Sequence, residues 1–185
     1  AYAYTQGFLQ YLESGGELTA KDTPVAVAGD FRPSTGRIMS AAMQAAADLG
    51  YTPVNCGRIP SPAVALAGLE GGFPTVMVTG SHIPADRNGI KFNKCSGEVL
   101  KSDEAGICSQ RVTVPDGRFD VAGNFATAVN AGTWPEDPTA GRRYVARYLE
   151  FFPADCLGGL RLGVYQHSAG GRDMLVEILR GLGAE

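Results

Sequence analysis

The sequence predicts an α/β fold, a mixed and mainly parallel sheet sandwiched between helices. Three observations carry that expectation. Short apolar runs dense in Val and Ala end at Gly or Asp; segments with apolar residues three and four positions apart follow them; and the two patterns alternate along the chain. A run that is apolar on both of its faces suits a parallel strand, because the crossover helices cover both sides of such a sheet.

Taken in order, the chain opens in a helical pattern through Phe8, Leu9 and Leu12. "TPVAVAGDFR", residues 23–32, then reads as a buried strand closed by Gly29 and Asp30. In "PSTGRIMSAAMQAAADLG" the spacing of Ile38, Ala42, Ala45 and Leu49 predicts a helix, with Ser34 or Thr35 as cap and Gly50 as its stop. "YTPVNCGRI" reads as a second strand and "SPAVALAGLEGG" as a short helix capped by Ser61, with Pro62 at its first position. "FPTVMVTG" reads as a third strand, and "GIKFNKC" alternates polar and apolar residues as an antiparallel partner to it would. "KSDEAGICSQRV" looks helical with acidic residues in its first turn, and residues 114–141 read as loop with short elements. "RRYVARYLEFF" places Tyr144, Val145, Tyr148, Leu149 and Phe152 on one helical face, stopped by Pro153. The remainder, "GLRLGVYQHSAGGRDMLVEILRGLGAE", begins afresh as strand, Gly-rich turn and helix, so the expected division is 1–155 and 156–185.

Composition narrows the function. A chain of 185 residues, 44% hydrophobic and with net charge -3, can bury an ordinary core and has no basic excess to attract nucleic acid or anionic lipid. Its apolar runs fall short of the roughly 18 residues of a membrane span, so no membrane partner is expected. The four cysteines are widely spaced and accompanied by only two histidines, which argues against a zinc site or a disulfide framework and for reduced thiols in a cytoplasmic setting. The first residues already lie in a helix and the last follow one, a pattern expected of a piece cut from a longer α/β protein.

Chemistry concentrates in "VTGSHIPADRNGIKF", residues 78–92, and in "GDFRPST" before it. In open α/β sheets reactive loops lie beyond the carboxyl ends of the strands, which places both stretches on one edge. A serine hydroxyl with an arginine, a lysine and an imidazole nearby suits phosphoryl transfer, because cationic donors offset the charge on the phosphoryl oxygens. The hydrolase elbow G-x-S-x-G and the P-loop G-x-x-x-x-G-K-S/T are both missing. Asp30 and Ser34 are expected to serve loop amides and a cap, Asn88-Gly89 to form a hairpin turn, and His167 to be structural. "HSAGG", residues 167–171, is a Gly-rich turn of a kind that can bind anions at a helix start.

The long stretch closely resembles the T-x-S-H-x-P-x-x-x-N-G-x-K loop of the α-D-phosphohexomutases, the phosphomannomutase and phosphoglucomutase superfamily. "GDFRPST" resembles that family's G-x-D-x-R-x-S segment. The resemblance covers most of the chain, and implies domain I of such an enzyme with the first strand-helix unit of domain II. It implies that Ser81 carries the phosphate that is passed to a hexose phosphate, that Lys91 and His82 sit beside the transferring group with Lys91 as acid or base, and that Arg32 contacts the phosphoserine. It further implies a Mg2+ ion, bound by phosphorylated Ser81 and by aspartates of a D-G-D-G-D-R stretch this sequence does not contain, and a sugar bisphosphate as activator. Partners are then hexose phosphates of mannose or glucose, with room for a homo-oligomer. The piece alone is expected to be inactive. Gly80, where alanine is usual, should only loosen the backbone, and Ile83, where asparagine is usual, removes an amide near the serine. The alternative is a non-catalytic α/β module that binds phosphate or a partner through the same loop.

Overall fold

In a computed structural model the chain is described over residues 1–127 and 134–185. The part of the expected loop at 128–133 lies outside the described residues. The elements run α1 (Tyr2–Ser14), β1 (Pro24–Gly29), α2 (Thr35–Asp48), β2 (Thr52–Asn55), α3 (Ser61–Gly71), β3 (Thr75–Val78), β4 (Ile90–Lys94), β5 (Gly97–Glu98), α4 (Lys101–Cys108), α5 (Thr139–Phe151) and α6 (Arg172–Gly181). The sheet order is β2-β1-β3-β4-β5. Its first three strands are parallel, and β4 and β5 continue it antiparallel.

The two-residue alternation of a strand divides the apolar residues between two cores. Val25, Val27, Val76 and Val78 pack on one face with Phe8, Leu9, Leu12, Met39 and Met43 of α1 and α2. Ala26, Ala28 and Met77 pack on the other with Ile59, Ala63 and Val64 at α3 and Ala140 of α5. Residues 25–28 and 75–78 are all buried, as expected for central strands covered on both sides. Each buried Val contributes roughly 1.5–3 kcal/mol of transfer free energy. Phe8 stacks on Phe92 with ring centroids 4.6 Å apart, which seats the β4 strand against α1. No helix among the described residues is long and apolar enough to cross a membrane.

The helix starts differ in detail from the expected caps. Ser34 precedes α2 and Ser61 opens α3, yet neither makes a capping bond. The Ser34 and Thr35 hydroxyls instead accept the Asn88 amide across the loops described below. The α5 helix begins earlier than its apolar pattern, because the Asp137 carboxylate accepts the Thr139 N–H at 2.9 Å and its hydroxyl at 2.5 Å. The largest departure is the strand expected after α5. Residues 159–166 form none; Leu162 donates to the Glu185 carbonyl, the Leu160 carbonyl accepts the Glu185 N–H while its own N–H turns back to Leu157, and Leu157 donates to the Leu182 carbonyl. A strand needs a neighbour along its length to satisfy its peptide groups, and these few bonds at the end of α6 do not supply one.

A buried polar contact fixes the β4 hairpin to α4 and α1. Asp103 is 6% exposed, lies 3.0 Å from Lys94 Nζ, and accepts the Leu100 N–H at 2.7 Å and the Tyr11 hydroxyl at 2.8 Å. The Leu100 amide first, then Lys94 and Tyr11, hold its carboxyl down at about 2. A carboxyl depressed in the folded state adds stability above its unfolded pKa of about 3.9, and that stability is lost as pH falls through the folded value. The denaturant midpoint is therefore expected to drop between about pH 4 and pH 2. Asp103→Asn should lower the midpoint at pH 7 and flatten that acid slope; an unchanged slope would remove Asp103 from the account.

Candidate active site

Three loops leave the carboxyl ends of β1, β2 and β3 and meet on Asp30. Its backbone continues the sheet, donating to the Val78 carbonyl at 3.0 Å. Its side chain collects the two polar loops. Oδ1 accepts the Thr35 hydroxyl at 2.6 Å and the Arg32 N–H at 3.1 Å. Oδ2 accepts Arg32 Nε at 3.1 Å, the Thr79 hydroxyl at 3.1 Å and the Gly80 N–H at 3.2 Å. The Asp30 carbonyl accepts Arg58 of the third loop at 2.7 Å. Burial pushes the carboxyl up, but the bonds from Thr35, the Arg32 and Gly80 amides and Thr79 outweigh it and hold the group below the usual carboxylate range. The expected role of Asp30, binding loop amides, is the one observed.

Arg32 is the second organiser. Besides Asp30 it reaches four backbone carbonyls of the long loop. One terminal nitrogen donates to Pro84 at 2.6 Å and Arg87 at 3.0 Å, and the other to Ile83 at 3.0 Å and Ser81 at 3.2 Å. All five guanidinium donors are thus engaged. The contact expected between Arg32 and the serine's phosphate is made here to the Ser81 carbonyl, because the guanidinium lies beneath the loop. Gly80 explains how it fits: a Cβ there would stand 2.3 Å from Arg32 Cζ. The missing side chain makes room for the guanidinium, so Gly80 is a close-approach glycine and does more than loosen the backbone. Ile83 likewise acts through its backbone, giving its carbonyl to Arg32 and its N–H to the Gly80 carbonyl.

The loop's far end is anchored by Asn88. Its amide donates to Thr35 Oγ1 at 2.8 Å and to Ser34 Oγ at 3.3 Å, and neither Asn88 nor Gly89 has a positive φ. The expected Asn-Gly hairpin turn is therefore absent. Thr79 and Gly89 close the ladder by exchanging both backbone bonds, and residues 80–88 form the connection. Sequence reading missed Thr35 as a partner of both Asp30 and Asn88, although a hydroxyl five residues after the aspartate was a visible signal.

Ser81 stands at the tip of this arrangement, exposed, with φ +48. A non-glycine residue in the left-handed region is uncommon, and Ser81 is the one such residue in the 80–88 loop. Its hydroxyl and the exposed His82 ring make no hydrogen bond among the described residues. Ser81, Arg32, Asp30 and Thr79 line an open cavity of about 600 Å3 whose far wall is residues 165–170. Lys91 is elsewhere. Paired with Met77 on β4, it points to the α3 face and lines a separate cavity of about 300 Å3 with Ser61 and Asn93. The structure thus brings Ser81 and Arg32 together at the carboxyl edge but gives Lys91 no share of the serine's cavity. An apolar cavity of about 600 Å3 between α5, α6 and residues 156–166 holds none of these groups.

Among the described residues no group of three or more His, Cys, Asp and Glu side chains converges as a metal site. The carboxylate nearest Ser81 in the cavity, Asp30, already accepts five bonds, so the described residues do not build a Mg2+ site by themselves.

Residues 1–113 match the family model for phosphoglucomutase/phosphomannomutase, alpha/beta/alpha domain I. A phosphomannomutase of Sinorhizobium fredii is 41% identical over 182 residues, covering 98% of this chain and 37% of that protein. A phosphomannomutase of Salmonella muenchen is 36% identical over 162 residues, covering 88% of this chain and 31% of its own length. A phosphoglucosamine mutase of Frankia casuarinae is 30% identical over 169 residues, with coverage of 90% and 36%. The chain spans about a third of the length of these curated relatives.

Proposed function

The chain belongs to the phosphoglucomutase/phosphomannomutase family, and on that premise we propose that it carries the phosphoserine loop of an enzyme interconverting hexose 1- and 6-phosphates. The observation that carries this reading is Ser81: an exposed hydroxyl at the carboxyl edge of the sheet, on a loop fixed from beneath and opening on a cavity large enough for a sugar phosphate.

In the proposed reaction the Ser81 Oγ–P bond breaks while a sugar hydroxyl oxygen bonds to the same phosphorus. The hydroxyl's proton leaves to a nearby base, and Ser81 Oγ is returned as a hydroxyl at the end of the step. The resulting bisphosphorylated sugar turns round and gives its other phosphoryl group back to Ser81. His82, next to the serine, is the proposed proton carrier; Lys91, which lines the separate cavity on the α3 side, is given no part in the step. Arg32 is the proposed positioning residue, holding the Ser81 carbonyl so that Oγ faces the substrate. The family expectation of Mg2+ assigns to this chain only the phosphate on Ser81 as a ligand. A sugar bisphosphate is the proposed primer. We also propose a cytoplasmic location, a homo-oligomer as the assembly, residues 1–155 as the first domain and 156–185 as part of a second.

The test is conversion of the 1- and 6-phosphates of mannose, glucose and glucosamine by the full-length protein, with Mg2+ and the matching sugar bisphosphate. Turnover of mannose or glucose phosphates is expected, while the 185-residue chain alone should give none. Absence of turnover with every sugar would favour a phosphate-binding module without catalysis.

A further inference from the structure

We propose that His167 and Ser168 are substrate-binding residues that hydrogen-bond hexose hydroxyls across the cavity from Ser81; this rests on the mutase reading above.

Both residues line the same cavity of about 600 Å3 as Ser81 and Arg32. Ser81 and Arg32 form one wall, and the segment from Tyr165 to Gly170 forms the other. A sugar ligand needs polar groups placed on the wall opposite the reacting atom, since orientation in a pocket comes from a few fixed donors and acceptors. That wall offers an imidazole and a hydroxyl already joined to each other, with His167 Nδ1 and Ser168 Oγ 2.8 Å apart. The bond sets the ring's orientation and leaves Nε2 without a protein partner among the described residues, on a ring that is exposed. The exposed Tyr165 ring lies 5.6 Å from the imidazole, centroid to centroid, and gives the same wall an apolar surface.

The wall is also fastened to the serine's side of the cavity. Arg172 donates to the His167 carbonyl at 3.0 Å, and its guanidinium lies 4.3 Å from the ring centre of Phe31. Phe31 stands between Asp30 and Arg32, the two residues that organise the serine loop. One arginine therefore links the backbone of His167 to that organising segment, so the imidazole is held at a set place relative to Ser81. A loose surface histidine would have neither tie.

The experiment compares the full-length protein with two substitutions. Asn at position 167 tolerates the left-handed backbone found there (φ +38) and can keep the bond to Ser168 while removing Nε2. Gln reaches roughly to where Nε2 stood. His167→Asn is expected to raise KM for the hexose phosphate about tenfold with a smaller change in kcat, and His167→Gln to recover most of that loss. Unchanged KM and kcat in His167→Asn, in a protein whose Ser81→Ala variant is inactive, overturns the assignment and leaves the mutase reading in place. Full activity of Ser81→Ala overturns both. If His167→Asn fails to give a cooperative thermal transition, Ser168→Ala is assayed instead, a raised KM there supporting the proposal and an unchanged one overturning it.

Discussion

Replacing Ser81 by alanine is expected to reduce hexose phosphate turnover in the full-length protein by more than about 1,000-fold, to background. The loss is chemical, because the other aliphatic hydroxyls among the described residues lining the cavity are engaged in internal bonds. Thr79 points its hydroxyl at Asp30, and Ser168 is paired with His167. The fold should be indifferent to the change. Ser81 is exposed, its Oγ makes no bond among the described residues, and Arg32 grips the residue through its carbonyl, which alanine keeps. Thermal stability should therefore stay within about 0.5 kcal/mol of the parent, as for other exposed substitutions. Activity assays beside a thermal melt separate the two effects, and a folded, fully active Ser81→Ala protein would show that the phosphoryl group travels by another route.

Arg32→Ala should fail in both measurements. The four carbonyls of the 80–88 loop would lose their common donor, and Asp30 would lose the cation 3.1 Å from its Oδ2. The pair is well covered, with side-chain exposures of 15% and 13%, so solvent replaces the lost bonds only in part. A stability loss of about 2–4 kcal/mol is expected, less than the sum of single bonds because they share one side chain. Turnover should fall by roughly 100-fold or more, since a reacting group displaced by about 1 Å costs that much. Arg32→Lys should recover little of either. A lysine presents three donors around one nitrogen and cannot span Asp30 on one side and the Pro84, Arg87, Ile83 and Ser81 carbonyls on the other. A fully active Arg32→Lys protein would contradict the positioning role. Limited proteolysis of residues 80–88 offers a second readout, with faster cleavage expected in Arg32→Ala than in Ser81→Ala.

The central sheet was legible because its apolar residues serve both faces at once. Val25 and Val27 alternate with Ala26 and Ala28, and each set meets its own helical layer. The β4 strand was legible from the alternation in "IKFNK", whereas β5 was not, being two residues held by two ladder pairs. Residues 159–166 carried the composition of a strand without a neighbour to pair along it, and pairing is not encoded locally. In the site, the serine, the threonine before it and Asn88 stood out as one motif, and Asp30 was rightly read as a binder of loop amides. Gly80 could not be read from its surroundings in sequence, because the group that forbids its side chain is the distant guanidinium of Arg32. The placement of Lys91 depends on register: opposite Met77 it faces α3, a relation no single strand reveals. The turn at 167–171 was read as one that can bind anions and His167 as structural, since only the folded chain brings them to the cavity of Ser81.

The central claim is that Ser81 is the residue that carries the phosphoryl group. The most direct measurement is to incubate the full-length protein with a sugar bisphosphate and Mg2+, then locate any added phosphate by intact-mass and peptide mass spectrometry. One labelled phosphate on the peptide containing Ser81, its label passing into sugar phosphate when hexose monophosphate is added, and lacking in the Ser81→Ala protein, is the result this account predicts. No phosphate at Ser81 in a protein that nevertheless interconverts hexose phosphates, or an isotopically labelled phosphate on Ser81 that never passes into sugar during turnover, would contradict it.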